Sequence, residues 1–194
     1  MTVATKAKIK LSPDEYLESE KSSLIKREYK EGDIYEMVGA SDSHVTIAGN
    51  LFYLIKNFLK QSNNKNCRVY ISDMKVKVAS INAFFYPDII VTCEEKDRQS
   101  TYFKEYPQLI IEVLSESTER YDRGDKFASY RQIESLQEYI LISQDKMQVE
   151  CFRKNSDNLW VLHPYDNQDN LVEFPCLNFS FSLTDLYENV ILDG

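Results

Sequence analysis

The amino-acid sequence predicts an α/β fold in which a central mixed β-sheet is flanked by helices. Between about residues 44 and 143, the hydrophobic pattern changes in the order helix, strand, strand, strand, helix, strand. A mixed sheet covered by helices buries the apolar faces of such elements. The 194 residues are 43% hydrophobic and include only five Gly and five Pro, as is typical of one globular domain. We therefore expect a single domain over residues 1–194, with its core at about 44–143.

Two local motifs precede this core. Ser12-Pro13-Asp14-Glu15 combines an N-cap residue, Pro at the first helical position and Glu three residues after the cap. This combination predicts a short helix that continues to about Glu20. The segment REYKEGDIYEM then alternates around Glu31-Gly32 and predicts a β-hairpin.

The core begins with a helix and two strand signals. From His44, apolar residues recur at helical spacing until QSNNKN ends the helix. CRVYISDMKVKVA and FFYPDIIVTC follow, and each predicts a strand. The alternation slips in phase near Ser72-Asp73, which indicates a β-bulge.

The segment PQLIIEVLS predicts a buried strand that contains one carboxylate, Glu112. An ionised carboxylate in apolar surroundings costs several kcal/mol or more unless a cation or a hydrogen-bond donor meets it. Glu112 therefore needs a partner. Downstream, Asp122 is predicted to cap a helix over about residues 123–134, and EYILIS predicts the next buried strand.

The C-terminal region predicts further strands outside the core. MQVECFR and LWVLHPY indicate a second hairpin, LNFSFSL alternates strictly, and a short closing helix is expected from about Thr184. These elements and the N-terminal helix and hairpin would decorate the central sheet.

Composition excludes several classes of protein. The net charge of −8 argues against a broad electrostatic surface for nucleic acid, although carboxylates can still reach phosphate through a bound metal ion. The four cysteines form no CxxC pair, and the two histidines lie apart from them, so a zinc site is not expected. Without a secretion signal, we expect the cysteines to be reduced. The N-terminal MTVATKAKIK lacks an apolar segment, and no run approaches the ~18 apolar residues of a membrane span, so we predict a cytoplasmic protein without membrane contact.

Asp88 is a second carboxylate that we expect to lie close to Glu112. It follows Pro87 at the start of IIVTC, the strand expected to lie beside PQLIIEVLS, because consecutive strands usually pair. Both carboxylates could then project into one cleft. Carboxylates that converge in this way are the ligands that Mg²⁺ prefers.

Several ordered blocks resemble one protein family. They are Glu28-Tyr29-Lys30-Glu31-Gly32, Gly39-Ala40-Ser41-Asp42-Ser43-His44, Tyr86-Pro87-Asp88, Glu112-Val113-Leu114-Ser115 and Asp122-Arg123-Gly124-Asp125-Lys126, and they cover roughly residues 12–155. Together they resemble the Uma-two family, which belongs to the PD-(D/E)XK superfamily of restriction-endonuclease-like phosphodiesterases. The resemblance implies a restriction-endonuclease-like core and metal-dependent hydrolysis of phosphodiester bonds in nucleic acid, with DNA as the expected substrate. Mg²⁺ is the implied cofactor, Mn²⁺ its expected substitute, and a homodimer the expected assembly.

The resemblance also implies residue roles. Asp88 and Glu112 would hold the metal ion, with Asp73 and Glu28 available to complete its shell. In the superfamily a Lys lies two residues after the Glu, but Leu114 occupies that position here. The family pattern instead makes Lys126, on the following helix, the catalytic lysine. His44 would contact phosphate or act as a base.

Two other interpretations compete with an active nuclease. The displaced lysine and the net negative charge favour a nuclease-fold module that binds nucleic acid or protein with little turnover. Alternatively, the carboxylates pair with Lys126 and Arg123 only to stabilise the fold.

Overall fold

The computed structural model describes residues 10–37, 39–62, 66–166 and 171–192. The helices are α1 (Pro13–Glu20), α2 (Asp42–Gln61), α3 (residues 119–130) and α4 (Leu183–Leu186). Helix α3 consists of an α-helical turn (Glu119–Tyr121), a π-helix (Asp122–Lys126) and a second α-helical turn (Phe127–Tyr130). The strands are β1 (Arg27–Lys30), β2 (Asp33–Glu36), β3 (Arg68–Ile71), β4 (Lys75–Val78), β5 (Ala83–Phe85), β6 (Ile89–Thr92), β7 (Phe103–Lys104), β8 (Pro107–Leu114), β9 (Glu138–Ser143), β10 (Val149–Lys154), β11 (Trp160–Tyr165), β12 (Leu171–Phe174) and β13 (Phe179–Ser182). In these ranges no helix combines the length and apolarity that a membrane crossing requires.

The central sheet has the strand order β11-β10-β9-β8-β6-β3. Its β8 and β9 run parallel and its other neighbours are antiparallel, so the sheet is mixed, as predicted. Ile89 and Ile111 pack on one face with the apolar side of α2. Ile90 and Ile110 pack on the other face with Tyr130 of α3. The predicted mixed α/β class with flanking helices is confirmed.

A second sheet has the order β2-β1-β5-β4-β7. Each of the two long predicted strands divides between the two sheets: β3 and β6 pair in the central sheet, whereas β4 and β5 pair in the second. Ser72, between β3 and β4, has a φ of 57°. The phase slip near Ser72-Asp73 therefore marks the passage of the chain from one sheet to the other, and the predicted bulge within one strand is wrong.

The N-terminal predictions are confirmed. Ser12 caps α1, and its side chain and that of Glu15 form a reciprocal capping box. Glu31 and Gly32 turn the β1–β2 hairpin with φ values of 50° and 95°. A side chain at Gly32 would be strained, because a Cβ there would lie 2.9 Å from Lys10 Cβ.

The predicted helix boundaries hold less well around α2 and α3. Helix α2 starts after Ser41, which caps it, and residues 63–65 of the predicted terminating segment lie outside the described residues. Asp122 does not cap a helix: α3 begins at Glu119, so Asp122 lies inside it and is buried. In the C-terminal region, β12 pairs with β13 although only the latter was predicted.

The expectation of four reduced cysteines is wrong for one pair. Cys67 and Cys93 form a disulfide, with their Cα atoms 3.8 Å apart. The antiparallel register pairs Arg68 with Thr92, so the cysteines just beyond them lie opposite each other. Cys151 and Cys176 are free.

Candidate active site

Glu112 lies near the end of β8, on the face that α3 covers. Its Oε1 lies 3.0 Å from Lys126 Nζ in an ion pair and accepts a hydrogen bond from the Tyr130 hydroxyl, also at 3.0 Å. The buried carboxylate therefore has two partners, both delivered by the helix that follows the strand.

The π-helical segment of α3 aligns three polar side chains with β8. In an α-helix, each four-residue step overshoots a full turn by about 40°, so Asp122, Lys126 and Tyr130 would drift by about 80° across the helix. A π-helical turn is wider and offsets this drift between Asp122 and Lys126. All three side chains are consequently buried on the same side of α3.

Lys126 joins three carboxylates from different elements. Its Nζ lies 3.0 Å from Glu112 Oε1, 3.2 Å from Glu28 Oε1 and 3.4 Å from Asp122 Oδ1. Glu28 belongs to β1 of the second sheet, and its Oε1 also accepts a hydrogen bond from Tyr86 N at 3.0 Å. The lysine side chain is 7% exposed. The ammonium therefore sits where the two sheets and α3 meet.

Asp88 brings a fourth carboxylate to this place from the start of β6. The register that pairs Ile89 with Ile111 continues to Asp88 and Glu112. Asp88 Oδ2 accepts a hydrogen bond from Val113 N at 2.8 Å, and Oδ1 lies 2.9 Å from His44 Nε2. An ionised carboxylate only accepts hydrogen bonds, so Nε2 is the donor of this pair.

We call Glu28, Asp88, Glu112, Asp122 and Lys126 the acidic cluster. Burial raises the pKa of Glu112 well above its ordinary value; Lys126 opposes this shift, whereas the other three carboxylates add to it. Burial likewise raises the pKa of Asp122. For Lys126, burial lowers the pKa, but the surrounding carboxylates outweigh burial and raise it. Three carboxylates thus face one ammonium, with Asp88 beside them, and the acidic cluster has more carboxylates than cations.

Two atoms of this region lack hydrogen-bond partners. Among the described residues, the buried side-chain atoms without a partner are His44 Nδ1 and Asp122 Oδ1. For Asp122 Oδ1, the contact with Lys126 Nζ at 3.4 Å is an ion pair without hydrogen-bond geometry. Buried polar atoms in proteins are nearly always satisfied, so two exceptions at one place indicate an unfilled binding capacity.

The donor set of the acidic cluster fits a hard divalent cation. Carboxylate oxygens are the ligands that Mg²⁺ prefers, and the ion commonly takes one or two protein carboxylates and completes its shell with water. Within the described ranges, no three His, Cys, Asp or Glu side chains form a ready metal-binding group, so an ion here would have few protein ligands and would take water for the rest of its shell. Asp88 and Glu112 are the carboxylates on neighbouring strands that could contribute to such a shell.

Not every predicted site residue joins the cluster. Glu28, Asp88, Glu112, Lys126 and His44 come together, whereas the Asp73 side chain is 78% exposed and pairs with Lys26. Arg123 pairs with Glu119 and Glu150 and not with the cluster, so the predicted structural role of that arginine is wrong.

Sequence reasoning missed the roles of Asp122 and Tyr130. The sequence predicts Asp122 as a helix cap and does not single out Tyr130, which is also a core residue of the structure. Their signal was the spacing Asp122-Lys126-Tyr130, which repeats every four residues and places one polar stripe on a helix.

Comparison with known proteins identifies the family to which the chain is similar. The family model described as "Uma2: Putative restriction endonuclease" matches residues 13–185. The chain is also similar to two proteins of Synechocystis sp., "Uncharacterized protein slr1290" and "Uncharacterized protein sll1609". The first is 39% identical over 181 residues and covers 93% of each chain. The second is 36% identical over 176 residues, covering 90% of this chain and 97% of the relative.

A solved structure shares the fold. It is described as a putative nuclease belonging to DUF820 from Anabaena variabilis, and it superposes with a TM-score of 0.75 at 19% sequence identity. The superposition covers 91% of this chain and 97% of that chain. The likeness therefore extends over nearly the whole length of both chains.

Proposed function

We propose that this protein, which belongs to the Uma2 family, is a divalent-cation-dependent endonuclease that hydrolyses phosphodiester bonds of DNA. The observation that carries the proposal is the acidic cluster itself, in which three carboxylates from both sheets and α3 surround one buried lysine and a fourth, Asp88, lies beside them. Such an excess of buried negative charge opposes folding unless a ligand uses it. A divalent cation held by these carboxylates would offset that charge, and it would supply the chemistry that a nuclease family implies.

In this proposal each side chain has a separate task. Asp88 and Glu112 would hold Mg²⁺ or Mn²⁺, and the ion would supply positive charge to the phosphate and lower the pKa of water. Lys126 donates a hydrogen bond that orients the attacking water and stabilises the negative charge that develops on phosphorus-bound oxygen.

His44, Tyr130 and Glu28 support this centre. The His44 Nε2–H fixes the Asp88 carboxylate, and the free Nδ1 can accept a proton from the attacking water. The Tyr130 hydroxyl holds Glu112, and Glu28 holds the Lys126 ammonium. Asp73 has no task here because its carboxylate is exposed and pairs with Lys26.

The second candidate is a nuclease-fold module that binds DNA or protein without turnover. One observation favours it: the Lys126 ammonium is already ion-paired with three carboxylates, which compete with a phosphate or a water for its positive charge. The net charge of −8 also disfavours a surface that attracts DNA strongly.

Nuclease assays distinguish the two functions. Purified protein is incubated with plasmid, single-stranded DNA and RNA, with Mn²⁺ or with chelator. We expect Mn²⁺-dependent cleavage of DNA that Lys126→Ala and Glu112→Gln both reduce by at least about 100-fold, the scale of losing one general-acid–base or electrostatic contribution. Asp73→Asn is the matched control and should cleave like the wild type.

Three results would reject this proposal. Absence of cleavage with every substrate, together with retained DNA binding, would establish the binding module. Cleavage that persists in both site variants would come from a contaminant. Preferential cleavage of RNA would replace DNA as the substrate. The expected homodimer is tested separately by light scattering.

A further inference from the structure

The contacts of Lys126 are unequal. An ammonium has three donors, and Lys126 lies close to Glu112 and Glu28 but farther from Asp122. Asp122 Oδ1 is buried and accepts no hydrogen bond, although it lies only 3.4 Å from the ammonium. The cluster thus contains one acceptor that is held close to Lys126 and not used.

The proposed function places two demands on Glu112. Its Oε1 is ion-paired with Lys126, and its carboxylate is also the proposed ligand of a divalent cation. Two positive charges at such short separation repel each other strongly in a buried site. With a cation at Glu112, Lys126 would keep only Glu28 as a close partner, and a buried ammonium with too few acceptors is costly.

Asp122 is placed to be that acceptor. It lies one turn before Lys126 on α3, and the protein fixes its backbone: the carbonyl accepts from the Tyr139 hydroxyl at 2.9 Å, and the N–H donates to Thr118 O at 2.9 Å. The side chain is 3% exposed, so solvent does not compete for Oδ1. A small rotation of the lysine toward its own helix would turn the 3.4 Å contact into a hydrogen bond.

We infer that Asp122 is a positioning residue that retains Lys126 when Glu112 holds the divalent cation. The inference rests on the proposed function, and it explains how the Lys126 ammonium would stay in place when a cation takes Glu112. Asp122 and Glu28 would then hold the ammonium next to the reacting phosphate.

A thermodynamic cycle on Mn²⁺ binding tests this role without requiring activity. The dissociation constant is measured by calorimetry for the wild type, Asp122→Asn, Lys126→Ala and the double variant. We expect Lys126→Ala to bind Mn²⁺ more tightly, because it removes the competing charge. Asp122→Asn should weaken binding about tenfold when Lys126 is present and less than about threefold in the Lys126→Ala background, since residues in one ion-pair network couple by about 0.5–3 kcal/mol.

The matched control is Asp125→Asn, which removes the same charge from the exposed side of the same helix. It should bind Mn²⁺ like the wild type. In the nuclease assay, Asp122→Asn should lower kcat and leave the KM for DNA unchanged, and Asp122→Glu, which restores an acceptor, should recover part of the rate. Melting curves establish that each variant is folded.

Each other outcome has a definite meaning. Equal weakening of Mn²⁺ binding by Asp122→Asn in both backgrounds would make Asp122 a cation ligand and overturn the inference. Unchanged binding in both backgrounds would reduce Asp122 to a structural ion pair and also overturn it. If the wild type binds Mn²⁺ but cleaves nothing, the proposed function fails, while the binding cycle still decides the role of Asp122.

Discussion

Two buried glutamates on neighbouring strands differ in how the protein satisfies them. Glu138 on β9 and Glu112 on β8 have side chains that are 3% and 4% exposed. Arg153 Nε donates a hydrogen bond to one carboxylate oxygen of Glu138, and Cys176 N donates one to the other, each at 3.0 Å. Glu112 instead shares the single ammonium of Lys126 with two other carboxylates. One glutamate has its own cation, and the other belongs to a group that lacks sufficient positive charge.

A third buried carboxylate follows the pattern of Glu138. Asp97 Oδ1 accepts a hydrogen bond from Glu105 N at 2.8 Å. Its Oδ2 accepts one from Thr92 Oγ1 at 2.6 Å and one from Tyr106 N at 3.1 Å. Backbone and hydroxyl donors thus meet both oxygens. The comparison teaches that this fold can fully satisfy a buried carboxylate, so the excess charge of the acidic cluster is a specific property of that site.

The largest expected effect tests the Glu138 side of the comparison. Arg153→Ala leaves Glu138 buried without its cation, which costs about 3–5 kcal/mol and lowers the melting temperature by at least about 6 °C in a chain of this size. Thermal unfolding at pH 7 measures the change. Arg120→Ala, at an exposed position, is the control and should melt within about 1 °C of the wild type. A melt of Arg153→Ala that matches the control would contradict the structural role of this pair.

The next effect tests the ligand capacity of the acidic cluster. Mn²⁺ at about 100 times its dissociation constant should stabilise the wild type by about 2.7 kcal/mol, because it binds only the folded state. Asp88→Ala should lose this gain and Glu138→Gln should keep it, whatever their melting temperatures without the ion. Differential scanning fluorimetry with and without Mn²⁺ measures both. An equal gain in all three proteins would place the ion elsewhere.

A smaller effect should have opposite signs at the two glutamates. In the absence of a divalent cation, Glu112→Gln removes a negative charge that burial and three neighbouring carboxylates disfavour. Lys126 retains its ion pairs with Glu28 and Asp122 in this variant. We expect stabilisation of about 1 kcal/mol, which raises the melting temperature by about 2–4 °C. Glu138→Gln should lower the melting temperature, because it weakens a satisfied ion pair. Destabilisation by both substitutions would remove the distinction between the two regions.

The smallest effect is a dependence on pH. The pKa of Glu112 is higher in the folded protein than its ordinary value of 4.5, so folding favours the protonated form. The contribution of Glu112 to stability is therefore fully present below pH 4.5 and is lost as pH rises through the folded pKa. The gain in melting temperature from Glu112→Gln should grow between pH 5 and pH 8. A constant difference over this range would mean that Glu112 does not titrate there.

Local features of the fold could be predicted from sequence. The capping box at Ser12 and Glu15 and the turn at Glu31-Gly32 depend on residues that are adjacent in the chain. The division of two long strands between two sheets could not be predicted, because strand partners are chosen by packing between distant segments. The Cys67–Cys93 disulfide was missed for the same reason, since only the register of β3 and β6 brings the two residues together.

The site was predicted in part. Family blocks pointed to Asp88, Glu112 and Lys126, and the structure brings them together with His44 and Glu28. The prediction that Asp122 caps a helix is wrong, although Asp is a common N-cap residue. The helix α3 begins earlier, where Glu119 N donates a hydrogen bond to Ser115 O. A π-helical segment has no simple sequence signal, so the alignment of Asp122 with Lys126 appears only in three dimensions.

The chain crosses between the two sheets at residues 72–74 and again at 86–88, and the second crossing ends at Asp88 itself. Any change in the angle between the sheets must move Glu28 of one sheet relative to Glu112 of the other. Lys126, which pairs with both glutamates, therefore links the two sheets at the acidic cluster. If a divalent cation binds there, amide exchange in β1 should slow together with exchange in β8, although β1 belongs to the other sheet.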